Sequence, residues 1–159
     1  MRKRWFFGLA LATSLLVMGA ANAGAGTTVT LSAHLEGAQE VPPADLDAKG
    51  KATVNIDVDA GTVCFDVKFE RVGTPNRGHI HRALAGANGP IVVPFFELLP
   101  GAAPVADPRH DALERGGLED CVTADPALLA DIVAHPEAYY VNLHNTRYPG
   151  GAFRCQLDG

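Results

Sequence analysis

The chain is predicted to fold as an all-β domain, an antiparallel Greek-key sandwich or barrel of about eight short strands with one short helix. Apolar and polar residues alternate over stretch after stretch, as in Val29, Leu31, Ala33 and Leu35, which is the period of a strand with one face buried. Turn sequences rich in Gly, Asp, Asn and Pro separate these stretches at short spacing. A helical apolar stripe with clean ends stands out in one place, after Asp125.

Residues 1–23 lie outside this pattern. Arg2, Lys3 and Arg4 precede a mainly apolar run that ends in Ala21-Asn22-Ala23, the signature of a signal peptide cleaved after Ala23. Residues 24–159 are then one exported domain, periplasmic or extracellular, without membrane insertion. Loss of three basic residues takes the formal charge from −5 to −8. An acidic chain without a basic run is a poor partner for nucleic acid or an anionic membrane. Met1 and Met18 both fall in the leader, so a thioether-rich copper site is excluded from the mature domain.

The first strand covers 29–35, and Val41-Pro42-Pro43 in the segment after it marks a loop or irregular edge, since adjacent prolines cannot serve a ladder. Ala52, Val54, Ile56 and Val58 define a second strand, which Asp59-Ala60-Gly61 turns into a third at 63–69. A strand at 78–84 follows, then a glycine-rich turn and a continuous apolar run at 90–96 that fits a buried strand. Residues 98–117 carry three prolines and no clean period, and are expected to form a long loop. Asp125 as N-cap, Pro126 at the first helical position, the stripe Leu128, Leu129, Ile132 and Val133, and Pro136 as stop give the helix. His135 sits in its last turn as a surface residue. Strands at 139–145 and 152–157, joined through Tyr148-Pro149-Gly150-Gly151, close the chain.

Cys64, Cys121 and Cys155 are an odd number for an oxidising compartment. Val63, Phe65 and Val67 take the core face of their strand, which leaves Cys64 on the other; Phe153 and Leu157 take the core face of theirs and carry Cys155 inward. Cys64 is therefore expected to pair with Cys121, leaving Cys155 as a small buried thiol.

His79 and His81 flank Ile80. Side chains two apart in a strand share a face, so both imidazoles point outward when Ile80 faces the core. The same parity places Tyr140, Asn142 and His144 outside, opposite Val141 and Leu143, and Arg154 outside, opposite Phe153. The expected site is a metal centre at the surface, with His79, His81 and His144 as ligands, Arg154 beside them to support the ligands or attract an anion, and one coordination position open. Convergence of the three ring nitrogens to within about 4 Å would serve such a centre. Three imidazoles without sulfur suit copper, with zinc second. His34 and His110 are further candidate ligands. The one mature serine, Ser32, has no nucleophile-elbow setting, no catalytic residue stands out, and phosphate-loop and dinucleotide fingerprints are absent.

Three segments, LEGAQEVPP at 35–43, GHIHRALAGANGP at 78–90 and YYVNLHNTRYPGGAFRCQL at 139–157, together resemble the CHRD domain, a chordin-type domain found also in exported microbial proteins. The resemblance implies an all-β extracellular domain. Cys155 stands where the family usually has glycine, which fits an unpaired cysteine, while Cys64 and Cys121 occupy places where other microbial members carry cysteines. A weaker similarity is to copper-zinc superoxide dismutase, whose barrel also carries a His-x-His strand, a distant copper-binding histidine and a nearby arginine. His79, His81, His144 and Arg154 match those parts; the bridging histidine and zinc loop have no counterpart beyond His110, Asp107 and Asp111. The expected partner is thus a metal ion. Two other readings are a metal-free interaction or adhesion module with an unknown protein partner, and a copper-dependent oxidoreductase in which Arg154 attracts an anionic substrate.

Overall fold

The computed structural model describes residues 26–98 and 107–159. The signal-peptide expectation for 1–23 lies outside them. The strands are β1 (Thr28–Glu36), β2 (Lys49–Asp57), β3 (Thr62–Glu70), β4 (Arg77–Arg82), β5 (Ile91–Glu97), β6 (Gly117–Thr123), β7 (Tyr139–His144) and β8 (Phe153–Gln156). All belong to one antiparallel sheet in the order β5-β4-β7-β8-β1-β2-β3-β6. The two edge strands approach each other, so the sheet is a nearly closed barrel. Round the barrel, β4, β5 and β6 follow in succession and β7 returns beside β4, which is Greek-key order.

Period-two alternation carries the fold into three dimensions. Leu31, Ala33 and Leu35 of β1, Ala52, Val54 and Ile56 of β2, and Val63, Phe65 and Val67 of β3 fill the interior. Ile80, Val141, Leu143 and Phe153 do the same on the other side of the barrel. Phe65 of β3 stacks on Phe95 of β5, ring centroids 4.3 Å apart, an aromatic contact between strands on opposite sides of the seam.

Two helices, α1 (Pro108–Glu114) and α2 (Pro126–Ala134), occur among the described residues. In α2, Asp125 accepts from the N–H groups of Ala127 and Leu128, Leu129 and Ile132 are buried, and the helix stops before Pro136, as the sequence predicts. The single-helix expectation is corrected by α1, which falls inside the stretch read as loop. There Asp107 accepts from the N–H of Arg109 and Pro108 takes the first turn, the same capping chemistry as at Asp125.

Two further expectations change. The run at 90–96 is not a fully buried strand: β5 is an edge strand with Ile91 half exposed and Pro94 exposed, and an edge is where a strand tolerates proline. Cys155 is free as expected, but half-buried against the core rather than fully inside. Cys64 and Cys121 are register partners on β3 and β6 and are bonded to each other. No helix among the described residues is long and apolar enough to cross a membrane.

Candidate metal centre

Strand β4 carries His79 and His81 on one side and Ile80, fully buried, on the other. Its neighbour β7 sets Tyr140 opposite His81, Asn142 opposite His79 and His144 opposite Arg77. On the far side of β7, Arg154 of β8 lies opposite Asn142. One face of three adjacent strands therefore gathers His79, His81, Tyr140, Asn142, His144 and Arg154, as alternation within each strand requires.

This face is not the open surface that parity predicts. His79, His81 and His144 are 4%, 7% and 6% exposed and Arg154 is 2% exposed. Three loops fold over the layer. Asn88 Nδ2 donates to the Val41 carbonyl at 2.8 Å, and Asn88 Oδ1 accepts from Arg154 Nη1 at 2.8 Å. Arg154 Nε donates to the Gln39 carbonyl at 2.8 Å, and the Gly89 N–H donates to Tyr140 Oη at 3.1 Å. Pro149, in the third loop, accepts from Arg77 Nη2 at 2.9 Å. The guanidinium of Arg154 lies 4.5 Å over the Tyr140 ring, whose other neighbour is His81, stacked at 4.9 Å and 10°. Arg154 is thus closed in behind the three histidines rather than exposed: the Gln39 carbonyl and the Asn88 side chain hold two of its nitrogens.

The loops also set the imidazole tautomers. His81 Nδ1 lies 2.9 Å from the Gly89 carbonyl and His144 Nδ1 lies 3.1 Å from the Pro149 carbonyl. A carbonyl can only accept, so in both rings Nδ1 carries the proton and Nε2 presents its lone pair. His81 Nε2 is buried with no hydrogen-bond partner, and His144 Nε2 lies 3.3 Å from His79 Nδ1. Such carbonyl contacts orient histidine ligands in metal sites. One ring nitrogen from each histidine falls within 4.8 Å of the others, against about 3.3 Å between ligands of a tetrahedral ion with 2.0–2.1 Å bonds. The 4.8 Å bound is looser than the convergence to about 4 Å expected of such a centre.

Electrostatics favours neutral, ligand-ready rings. Burial, with the charges of His144, His81 and Arg77 adding to it, lowers His79 to about 3. Burial first, then Arg77 and His81, lowers His144 to about 4 against the opposing pull of the Pro149 carbonyl, and burial also lowers His81. Glu40 moves the other way: burial raises it to about 7 although Arg154 pulls it down. An unfolded histidine titrates near 6.5, so below that pH the unfolded chain binds protons that the folded imidazoles refuse. Their contribution is complete above about pH 6.5 and is lost as pH falls, toward about 3 for His79 and about 4 for His144, by up to about tenfold in the folding equilibrium per pH unit per ring. Glu40 opposes this, since its contribution is lost as pH rises from 4.5 toward 7. Three rings outweigh one carboxyl, and denaturant melts in chelator should show a lower midpoint at pH 5 than at pH 7.

Gly89 holds its carbonyl on His81 because nothing larger fits: a Cβ there would lie 1.9 Å from the Arg82 carbonyl oxygen. Gly89→Ala is expected to push the loop off His81 and, for a metal titrated onto the three imidazoles, to weaken affinity by about 10- to 100-fold, the usual effect of losing such a partner. Metal titration beside wild type checks this.

Other candidates stay apart. His34 is exposed on β1, and His110 lies on α1 with Asp111 and Glu114 in a second, largely exposed grouping. Glu40 and Asn142, both nearly fully buried beside Arg154, are not among the candidates that the sequence offers; Glu40 sits in a loop without a period, and its one signal is a carboxylate within the 35–43 motif.

The family model of the CHRD domain matches residues 31–157. No curated protein and no solved structure matches the chain.

Proposed function

The chain belongs to the CHRD domain family, and on that premise we propose that it is an exported protein that binds a transition metal, copper before zinc, through His79, His81 and His144. The observation that carries the reading is the convergence of three buried histidines, one ring nitrogen of each within 4.8 Å of the others, with His81 Nε2 buried and without a partner in the protein. An unpartnered buried acceptor is costly, and a bound cation would relieve it. The absence of sulfur from the set and the imidazole preference for copper(II) favour copper. The Cys64–Cys121 disulfide supports an oxidising compartment, periplasmic or extracellular.

Anaerobic titration of the purified protein with copper(I) and copper(II), with zinc as competitor, tests the reading. One equivalent of copper held more tightly than zinc is expected. No binding of either metal would overturn it in favour of a metal-free interaction module, a reading favoured by the direct His79–His144 contact at 3.3 Å and by the exposed apolar residues Val41, Leu84 and Ile91. Copper-dependent turnover of an anionic substrate finds less support, because Arg154 is closed in by Gln39, Asn88 and Tyr140.

A further inference from the structure

Three atoms beside the imidazoles remain buried without a hydrogen-bond partner: Glu40 Oε1, Asn142 Oδ1 and Arg154 Nη2. Their side chains are at most 4% exposed. Buried polar groups in native proteins are satisfied by protein or ordered water, and one left alone is destabilising. An ion held by the three histidines would account for His81 Nε2 and leave these three as they are.

The three belong to one place. Asn142 and Arg154 are cross-strand partners on the same face. The Glu40 carboxylate oxygens and Asn142 Nδ2 all lie within 2.8 Å of the point where a Cβ of Gly151 would stand, so glycine at 151, with φ of 137°, leaves that point free of a side chain. Arg154 Nε lies 3.9 Å from Glu40 Oε2, near enough for charge attraction and too far for a hydrogen bond. Arg154 cannot swing closer without losing the Gln39 carbonyl, Asn88 Oδ1 and the Tyr140 ring.

The chemistry of the lining selects the guest. A small anion would meet the Glu40 carboxyl, and a second cation would meet the Arg154 guanidinium. Glu40 Oε1 and Asn142 Oδ1 ask for two donors, and Arg154 Nη2 asks for an acceptor. Water supplies two donors and an acceptor in one small molecule, and about three hydrogen bonds is what buried waters usually make. We propose that Glu40, Asn142 and Arg154 form a closed hydration site whose single ordered water bridges the Glu40–Arg154 pair. The bridge holds Arg154 on Tyr140, and through Tyr140 it steadies the His81 ring. The inference does not depend on metal binding.

A high-resolution crystal structure of the protein tests it, with oxygen-17 relaxation dispersion counting long-lived waters in solution. Density for one water within about 3 Å of all three atoms is expected, with one fewer long-lived water in Asn142→Leu than in wild type. Should Asn142→Leu fail to fold, the wild-type density decides alone. A chamber that is dry, closed by a direct Glu40–Arg154 hydrogen bond, or filled by density larger than water would overturn the proposal.

Discussion

The His79→Ala/His81→Ala variant is expected to lose copper(II) affinity by more than about 100-fold, beyond the range typical of losing an outer contact to a ligand. Both rings come from β4, so the pair leaves His144 alone among the proposed ligands. Ile80 still anchors β4 in the core, and circular dichroism should report an intact sheet. The same variant removes two of the three imidazoles whose burial makes the metal-free protein acid-sensitive, so its stability should change less between pH 7 and pH 5. Any weak binding that remains should disappear with His110→Ala, because His110, Asp111 and Glu114 form the other grouping of metal-capable side chains among the described residues. Equal retention of copper by wild type and double variant would remove His79 and His81 from the site.

The second large effect concerns the seam of the barrel. Cys64 and Cys121 are 57 residues apart and join β3 to the edge strand β6. Loop-closure entropy for a cross-link of that span is worth about 4 kcal/mol. Cys64→Ala/Cys121→Ala is therefore expected to lower unfolding stability by about 2–5 kcal/mol, read from denaturant melts under non-reducing conditions. Cys155→Ala should change much less, since that thiol is free and half-buried. A disulfide variant as stable as wild type would show that pairing and packing hold β6 without the bond. Recovery of a Cys64–Cys155 peptide after non-reducing digestion would overturn the pairing itself.

Alternation was readable wherever a strand had one face in the core. It placed Ile80, Val141, Leu143 and Phe153 inside and put three histidines and Arg154 on the other face, because side-chain direction in a strand depends on local sequence alone. Which strands are neighbours does not: the β4–β7 pairing that brings His144 to His79 spans 65 residues. Burial of the site was missed for a related reason. The loops over it have no period, and their contacts, such as Asn88 to Val41 and to Arg154, are set by tertiary structure. The three sequence segments that resemble CHRD are the ones that meet here, two supplying imidazoles and all three supplying the cover. Strand β6 was obscured because Asp120 stands opposite Phe65 where alternation wants an apolar residue, which an edge strand tolerates. Helix α1 announced itself through Asp107-Pro108, but with Leu113 as its one buried residue it offered no stripe to read.

The most direct measurement is the position of copper in a crystal of the copper(II)-loaded protein, located by anomalous scattering at the copper edge. One ion should lie about 2 Å from a ring nitrogen of each of His79, His81 and His144, with Nδ1 of His81 and His144 still on the Gly89 and Pro149 carbonyls. An anomalous peak at His34 or His110, or no peak near β4 and β7 at full loading, would contradict the three-histidine centre.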